Sequence, residues 1–204
     1  MSSTRFPQRR RTSAGEERRR QIVEATIRLL ARHGPAGTAF TSIASEAALS
    51  SPGLISYHFT DKTDLMSQVV EHILTRLESS LAARVAEAGG DPVAQLRAYL
   101  AELVRYQDTH RDEVAAVWRL LATGAAEGLA GRGRTTALPP TLLTDILRDG
   151  QQRGVFRVFD VAVMAQALHC SAEGYRERFL TDGHADADAF TAELTELFIR
   201  ATAP

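Results

Sequence analysis

Cysteine and lysine are almost missing from this sequence: each occurs once in 204 residues, as Cys170 and Lys62. A single cysteine excludes an internal disulfide framework and fits a reducing compartment, so a cytoplasmic protein is expected. With one lysine, arginine supplies 23 of the 24 basic side chains, a bias that genome composition explains. Long apolar runs are missing as well, and nothing approaches the roughly 20 uninterrupted apolar residues of a membrane span. The N-terminal arginines have no apolar segment behind them, which argues against a secretory signal peptide. Alternating β-branched runs are absent too. Val155-Phe156-Arg157-Val158-Phe159 comes nearest, and five residues alone make no sheet. No internal repeat is visible.

What is present is unevenly distributed. The net charge is −1, yet residues 1–62 hold ten basic side chains against five acidic ones, and the remainder holds 14 against 20. A basic head on an acidic body suggests that only the head meets a polyanion. Residues 1–12, with Arg5, Arg9, Arg10 and Arg11, offer little to bury and read as a disordered basic arm. Ser13-Ala14-Gly15-Glu16 fits a capping box that would open the first helix. Ile22, Ala25, Thr26, Leu29 and Leu30 then recur at helical spacing until Gly34-Pro35 stops them. Within this helix, Glu16 and Arg20 stand at a pairing distance of four residues.

Thr38 reads as the N-cap of a short second helix with Phe40, Ile43, Ala44 and Ala47 inward. A third starts at Ser51 as N-cap with Pro52 at the first helical position. On a wheel of about 100° per residue, Leu54, Ile55, His58 and Phe59 fall on one side. Pro52, Gly53, Ser56 and Tyr57 fall on the other, which is uncharged and small enough to enter a major groove. His58 reads either as a packed helix-end residue or as a phosphate donor. Three short helices in this order make a helix-turn-helix. Thr38, Thr41 and Ser42 near the start of helix two, and Lys62 at the start of helix four, are candidate phosphate donors. The candidate DNA-binding set is therefore Thr38, Thr41, Ser42, Ser51, Pro52, Gly53, Ser56, Tyr57, His58 and Lys62.

The body is helical throughout. Leu65, Val69, Ile73, Leu77 and Leu81 form a long fourth helix ending at Gly89-Gly90. Asp91-Pro92 opens the next, with Val93, Leu96, Tyr99, Leu100, Leu103 and Tyr106 inward, and another runs from about Arg111 to Thr123. Residues 124–138 read as a mobile loop and Pro139-Pro140 as the start of a helix ending near Gly150 or Gly154. Asp160 caps a helix reaching about Leu180, and Asp186 or Asp188 precedes a last one ending near Thr202. The expectation is all-α, about nine helices, divided into a 1–12 arm, a 13–66 DNA-binding domain and a 67–204 body.

The head resembles the TetR family of transcriptional regulators across residues 18–66. The resemblance rests on Ile22, Ala25, Gly34, Thr38, Ile43-Ala44, Ala47-Ala48-Leu49, Ser51, Gly53, His58-Phe59 and Lys62. Two departures stand out. Ala48 replaces the usual turn glycine, and one extra residue, Leu49 or Ser50, lengthens the turn. Ser56 stands where the family usually has tyrosine, and Tyr57 would take over its contact. The resemblance implies a homodimer that reads a palindromic operator with recognition helices about 34–36 Å apart. It also implies release from DNA by a small-molecule effector bound in the body. The last two helices are the expected dimer face, with Val163, Ala167, Leu168, Phe190, Leu194, Leu197 and Phe198 as its seam. Candidate effector contacts are Tyr106, Trp118, Leu121, Met164, His169 and Tyr175.

Rival classes fare worse. His110-Arg111-Asp112 imitates a kinase triplet, but no glycine-rich nucleotide loop accompanies it. His169 and Cys170 are adjacent on a helix and so diverge. Asp182, His184, Asp186 and Asp188 fit neither calcium nor zinc spacing, and helix capping explains them better. No enzyme, cofactor or membrane contact is expected. A constitutive architectural DNA binder or a protein-controlled adaptor is the alternative, against which the acidic body argues.

Overall fold

The computed structural model describes residues 8–123, 141–182 and 185–204. Among these, nine helices and no strand are found: α1 (Gln8–His33), α2 (Phe40–Glu46), α3 (Gly53–His58), α4 (Lys62–Glu87), α5 (Pro92–Thr109), α6 (Arg111–Ala122), α7 (Thr141–Gln152), α8 (Val161–Asp182) and α9 (Ala187–Thr202). The expected all-α fold is present. The stretch 124–138 and Pro139-Pro140, expected as a loop and a helix start, lie outside the described residues.

Two compact units form. One comprises α1–α3, α4 as far as Ile73, and α6 from Asp112; the other comprises the rest of α4, α5 and α7–α9. A contiguous division at 66/67 differs from this in two respects: the first unit extends along α4 to Ile73, and α6 joins it from far along the chain.

In the first unit, α1 begins at Gln8 and runs straight through Ser13. Arginine and glutamine are strong helix formers, so the capping box does not open the helix. Arg20 also takes different partners from the one expected, Glu17 at 2.6 Å and Glu24 at 2.8 Å. The helix ends as anticipated: Gly34 sits at φ +66°, and its N–H donates to Leu30 O at 2.9 Å. Ile22, Leu30, Ile43, Ile55, Phe59 and Leu65 are buried together in this small core.

The second unit is built around α5, which packs on α7, α8 and α9. Asp91 caps it by accepting from Val93 N at 3.3 Å and Ala94 N at 3.2 Å, with Pro92 at the first position. Leu96, Tyr99, Leu100 and Leu103 are fully buried along it. Asp160 and Asp186 cap α8 and α9 as their sequence positions suggest. The segment 155–159 forms no strand. Arg157 instead ties to the end of α9, its N–H donating to Thr202 O at 2.9 Å and its Nε to Ala201 O at 2.8 Å. Glu102, buried on α5, is held by Arg105 at 2.5 Å and by Ser80 of α4.

Two stability predictions follow from the second unit. A Cβ at Gly150 would overlap the Phe156 ring, whose Cγ is 2.9 Å from that position. Gly150→Ala should therefore destabilise by about 1–3 kcal/mol and lower the melting temperature by several degrees. An unchanged melting temperature would show that the ring moves aside freely.

The second prediction concerns acid. Burial opposes ionisation of Glu102, but hydrogen bonds from Arg105 and Ser80 and the charges of Arg105 and Arg84 outweigh it, so its pKa is lowered. Asp108 is held low by hydrogen bonds from Arg111 and Tyr175. Both carboxyls bind protons more weakly folded than unfolded. Their contribution is complete above the ordinary carboxylate range and is lost as pH falls through it toward the folded values. Thermal melts should thus weaken in acid. Glu102→Gln should lower stability at neutral pH and flatten that acid slope; an unaltered slope would remove Glu102 as its source.

Candidate nucleic-acid interface

The exposed surface of the first unit centres on α3, a helix of only 6 residues. So short a helix cannot hold itself in water, so its neighbours must place it. Ile55 and Phe59 are buried, and Leu54 and His58 are half-buried. Pro52, Gly53, Ser56 and Tyr57 face solvent, and Tyr57 is 83% exposed. The two faces fall where the helical wheel puts them. The start is one residue later than expected. Pro52 is the N-cap, in helical conformation, with Ile55 N donating to its carbonyl at 3.0 Å, and Ser51 stays outside.

The far end of α3 is fixed by Arg19 of α1. Its Nη1 donates to His58 O at 2.9 Å, and its guanidinium lies 4.7 Å from the Phe59 ring centre. Burial lowers the His58 pKa, and the positive charges of Arg19 and Arg18 lower it further. His58 is half-buried and Arg19 holds its carbonyl, as befits a packed helix-end residue.

The turn between α2 and α3 follows Schellman geometry. Leu49 N donates to Ala44 O at 2.8 Å and Ala48 N to Ser45 O at 3.1 Å, with Ala48 at φ +49°. A further hydrogen bond from Gln21 Nε2 to Ala47 O, 2.7 Å, pins this turn to α1. Arg28 and Arg32 both grip Glu46 at 2.7 Å, clamping α2 to the same helix.

Several candidate phosphate donors have structural partners. Thr38 is not the N-cap of α2 and not exposed: it is fully buried and its hydroxyl donates to Gly34 O at 2.8 Å. Ala39 is the N-cap, and its N–H donates to Ser42 Oγ at 2.9 Å, so Ser42 is a cap as well. Lys62 Nζ donates to Pro35 O at 2.7 Å, with the ammonium still exposed. Thr41 and Ser51 remain exposed. The first turn of α4 has an internal acidic lock. Asp64 N donates to Asp61 Oδ1 at 2.8 Å, and Thr60 N to Asp64 Oδ2 at 3.0 Å. The Asp61-x-x-Asp64 spacing could have revealed that lock.

An exposed uncharged helix face, reached through a tight turn and backed by arginines, is the arrangement of a groove-reading helix-turn-helix. The sequence matches two family models: "Bacterial regulatory proteins, tetR family" over residues 22–69, and "Tetracyclin repressor-like, C-terminal domain" over residues 89–202. The chain belongs to the TetR family of transcriptional regulators.

Curated relatives in the family include the HTH-type transcriptional regulator BetI of Burkholderia cenocepacia (strain HI2424), 36% identical over 94 residues. BetI of Paraburkholderia xenovorans (strain LB400) is 36% identical over 86 residues. These alignments take in 46% and 42% of this chain. The chain spans about half the length of the curated relatives it matches, 47% and 44%. Among solved structures, a TetR-family regulator from Rhodococcus sp. superposes with a TM-score of 0.76 at 23% identity, covering 93% of this chain and all of that one. AibR, solved in complex with isovaleryl coenzyme A and operator DNA, gives 0.71 at 20% identity, covering 88% and 97%. These two likenesses establish the TetR fold.

The TetR body of this chain redistributes the candidate effector contacts. Tyr106 lines a cleft of about 400 Å³ with Thr75, Arg76, Ser79, Ser80 and His110, stacked 4.1 Å from the His110 ring. Tyr175 is a strut: its hydroxyl donates to Asp108 Oδ1 at 2.8 Å and lies 3.1 Å from Ala185 O. Met164 is half-buried and His169 buried on α8. Trp118 and Leu121 are exposed on α6, in the first unit.

The candidate dimer residues also divide. Leu168, Leu194 and Phe198 are buried within the chain, so they belong to its own core. Phe190 is half-buried, 5.4 Å from the Tyr175 ring. Val163, Ala167 and Leu197 are the members left exposed. Among the rival chemical sites, His169 and Cys170 diverge, one buried and one exposed. Asp186 is a cap, while His184 lies outside the described residues. No metal-binding group and no helix long and apolar enough to cross a membrane occurs among the described residues.

Ala48 yields a test. An L-residue in the left-handed region is strained by about 1–2 kcal/mol, which glycine avoids at some cost in unfolded-state entropy. Ala48→Gly should stabilise by about 1 kcal/mol, raising the melting temperature by about 2–4 °C. A lower melting temperature would mean that the Ala48 methyl makes compensating contacts.

Proposed function

We propose that this chain is a ligand-responsive repressor acting in the cytoplasm. It binds a palindromic operator as a homodimer and is released by a small-molecule effector. The observation that carries the reading is the outer face of α3, where Gly53, Ser56 and Tyr57 are exposed. These three are the base-reading candidates, with Thr41, Ser51 and Lys62 beside them as backbone contacts. Neutral side chains at the centre with basic ones behind match the division between base readout and phosphate positioning. The crystallised complex of AibR with both operator DNA and an acyl-coenzyme A supports an effector-responsive reading for a chain of the same fold.

Dimerisation through α8 and α9 would cover Val163, Ala167 and Leu197, apolar side chains that the single chain leaves in water. A two-fold dimer would then present two α3 helices to successive major grooves, about one DNA turn apart.

The decisive experiment is a mobility-shift titration with DNA from upstream of the chain's own coding sequence. Specific, salt-sensitive retardation by a dimer is expected, and its absence at submicromolar protein would sink the repressor reading. Tyr57→Ala should weaken that binding about 10- to 100-fold, the scale of one lost base contact. Its melting temperature and dimerisation should match the wild type. A parallel loss of fold would show that Tyr57 belongs to the core.

A further inference from the structure

Three consecutive arginines on α1 have different partners. Arg18 Nη1 donates to Gln21 Oε1 at 2.8 Å, and Arg20 is engaged by Glu17 and Glu24, all on the same helix. Both of these arginines are exposed. Arg19, half-buried between them, leaves its own helix and reaches 39 residues along the chain to α3.

There it makes two contacts at once. Its Nη1 donates to His58 O at 2.9 Å, and its guanidinium carbon stands 4.7 Å from the centre of the Phe59 ring. His58 is the last residue of α3, and Phe59 is its C-cap, extended and 1% exposed. The last carbonyls of a helix lack partners within it, and a positive charge beside them is favourable. A planar guanidinium can donate to a carbonyl and lie over a ring together, for which an ammonium is poorly shaped. Among the described residues, no other side chain from outside α3 hydrogen-bonds to residues 53–58.

The bond falls where α3 needs it. With 6 residues the helix has fewer than two turns and cannot hold itself. Its inner anchors, Ile55 and Phe59, are four residues apart and so lie on one line along the helix. Two anchors on a line leave the helix free to rock about it, and Leu54 and His58 are only half-buried. A third contact at the C-terminal carbonyl stops that motion. Ser56 and Tyr57, exposed on the outer face, immediately precede the residue that Arg19 holds.

We propose that Arg19 is a positioning residue for DNA recognition: it sets the pose of α3 and so confers sequence preference, without itself contacting the operator. This role rests on α3 being the groove-reading helix and names the residue on which that reading's selectivity depends. The rival role for an arginine in such a unit is a phosphate contact. A phosphate contact adds affinity for any DNA and steepens the salt dependence, whereas the pose of base-reading side chains affects the operator alone.

Arg19→Met tests this, since it keeps an unbranched stem and removes the charge and the donors. Operator and non-operator duplexes are titrated by mobility shift at several salt concentrations. Operator affinity should fall about 10-fold or more, the scale of one lost base contact, while non-operator affinity and the salt slope hold. Equal losses on both DNAs, with a log–log salt slope shallower by about 0.9 per protomer, would reveal a phosphate contact and overturn the proposal. Unchanged operator affinity overturns it as well. Arg19→Lys keeps the charge without the planar fork and should show the same selective loss; full recovery with lysine would mean that charge alone suffices. If Arg19→Met lacks wild-type helicity by circular dichroism, Arg19→Lys carries the comparison. A cycle with Tyr57→Ala tests the route through α3. Changing Arg19 should cost less in the Tyr57→Ala background than in the wild type, and equal costs would sink the idea. Specific retention by the wild type that is indifferent to Arg19 removes this role alone, and no specific retention by the wild type removes the operator reading with it.

Discussion

The first unit depends on how a helix of 6 residues is held still. Burial of Ile55 and Phe59 anchors the inner face of α3, and Arg19 secures its last carbonyl while covering the Phe59 ring. Arg19 does this from α1, whose own position relative to α2 is set by Gln21 and by the two arginines on Glu46. The anchors lie behind or at the end of α3, and its outer side chains stay exposed, with Tyr57 touching only the edge of the His58 ring among the ring contacts. That separation allows the residues at Gly53, Ser56 and Tyr57 to vary with the DNA they meet while the scaffold stays constant.

The second unit treats polarity in two ways. Glu102 gathers Arg105 and Ser80, and Tyr175 is matched with Asp108, so these buried groups are satisfied and bind helices to one another. Tyr99, Gln107 and His169 sit among equally tight apolar packing without that satisfaction. Satisfied networks specify a rigid core, and stranded groups detract from stability unless something else completes them. The contrast lies between neighbours on one helix, since Glu102 and Tyr99 are both on α5.

Much of this was legible in the sequence because the signals were local. Asp91, Asp160 and Asp186 announce helix starts through short-range capping, and the two faces of α3 follow from helical period alone. The start of α1 was not legible, since arginines and glutamine carry no boundary signal once a helix has begun. Thr38 and Ser42 looked alike as hydroxyl residues, and only the backbone path decides that one bonds backward to Gly34 and the other caps Ala39. The attachment of α6 to the first unit needed three dimensions, as no local pattern records which distant segment a helix will meet. Apolar spacing on α8 and α9 could not separate Leu168 and Phe198, which fill the core, from Val163 and Leu197, which do not. A hydrophobic period states that a face is covered but not by what.

The bond from Lys62 to Pro35 O has a practical consequence for the chemist. Since no other lysine exists in the chain, reagents selective for side-chain amines have one address, and it sits on the strut between the start of α4 and the turn after α1. Acylation there would remove the charge and that hydrogen bond together. The extent of labelling at that side chain, read apart from the chain's α-amine, then becomes a site-resolved gauge of whether the strut is made.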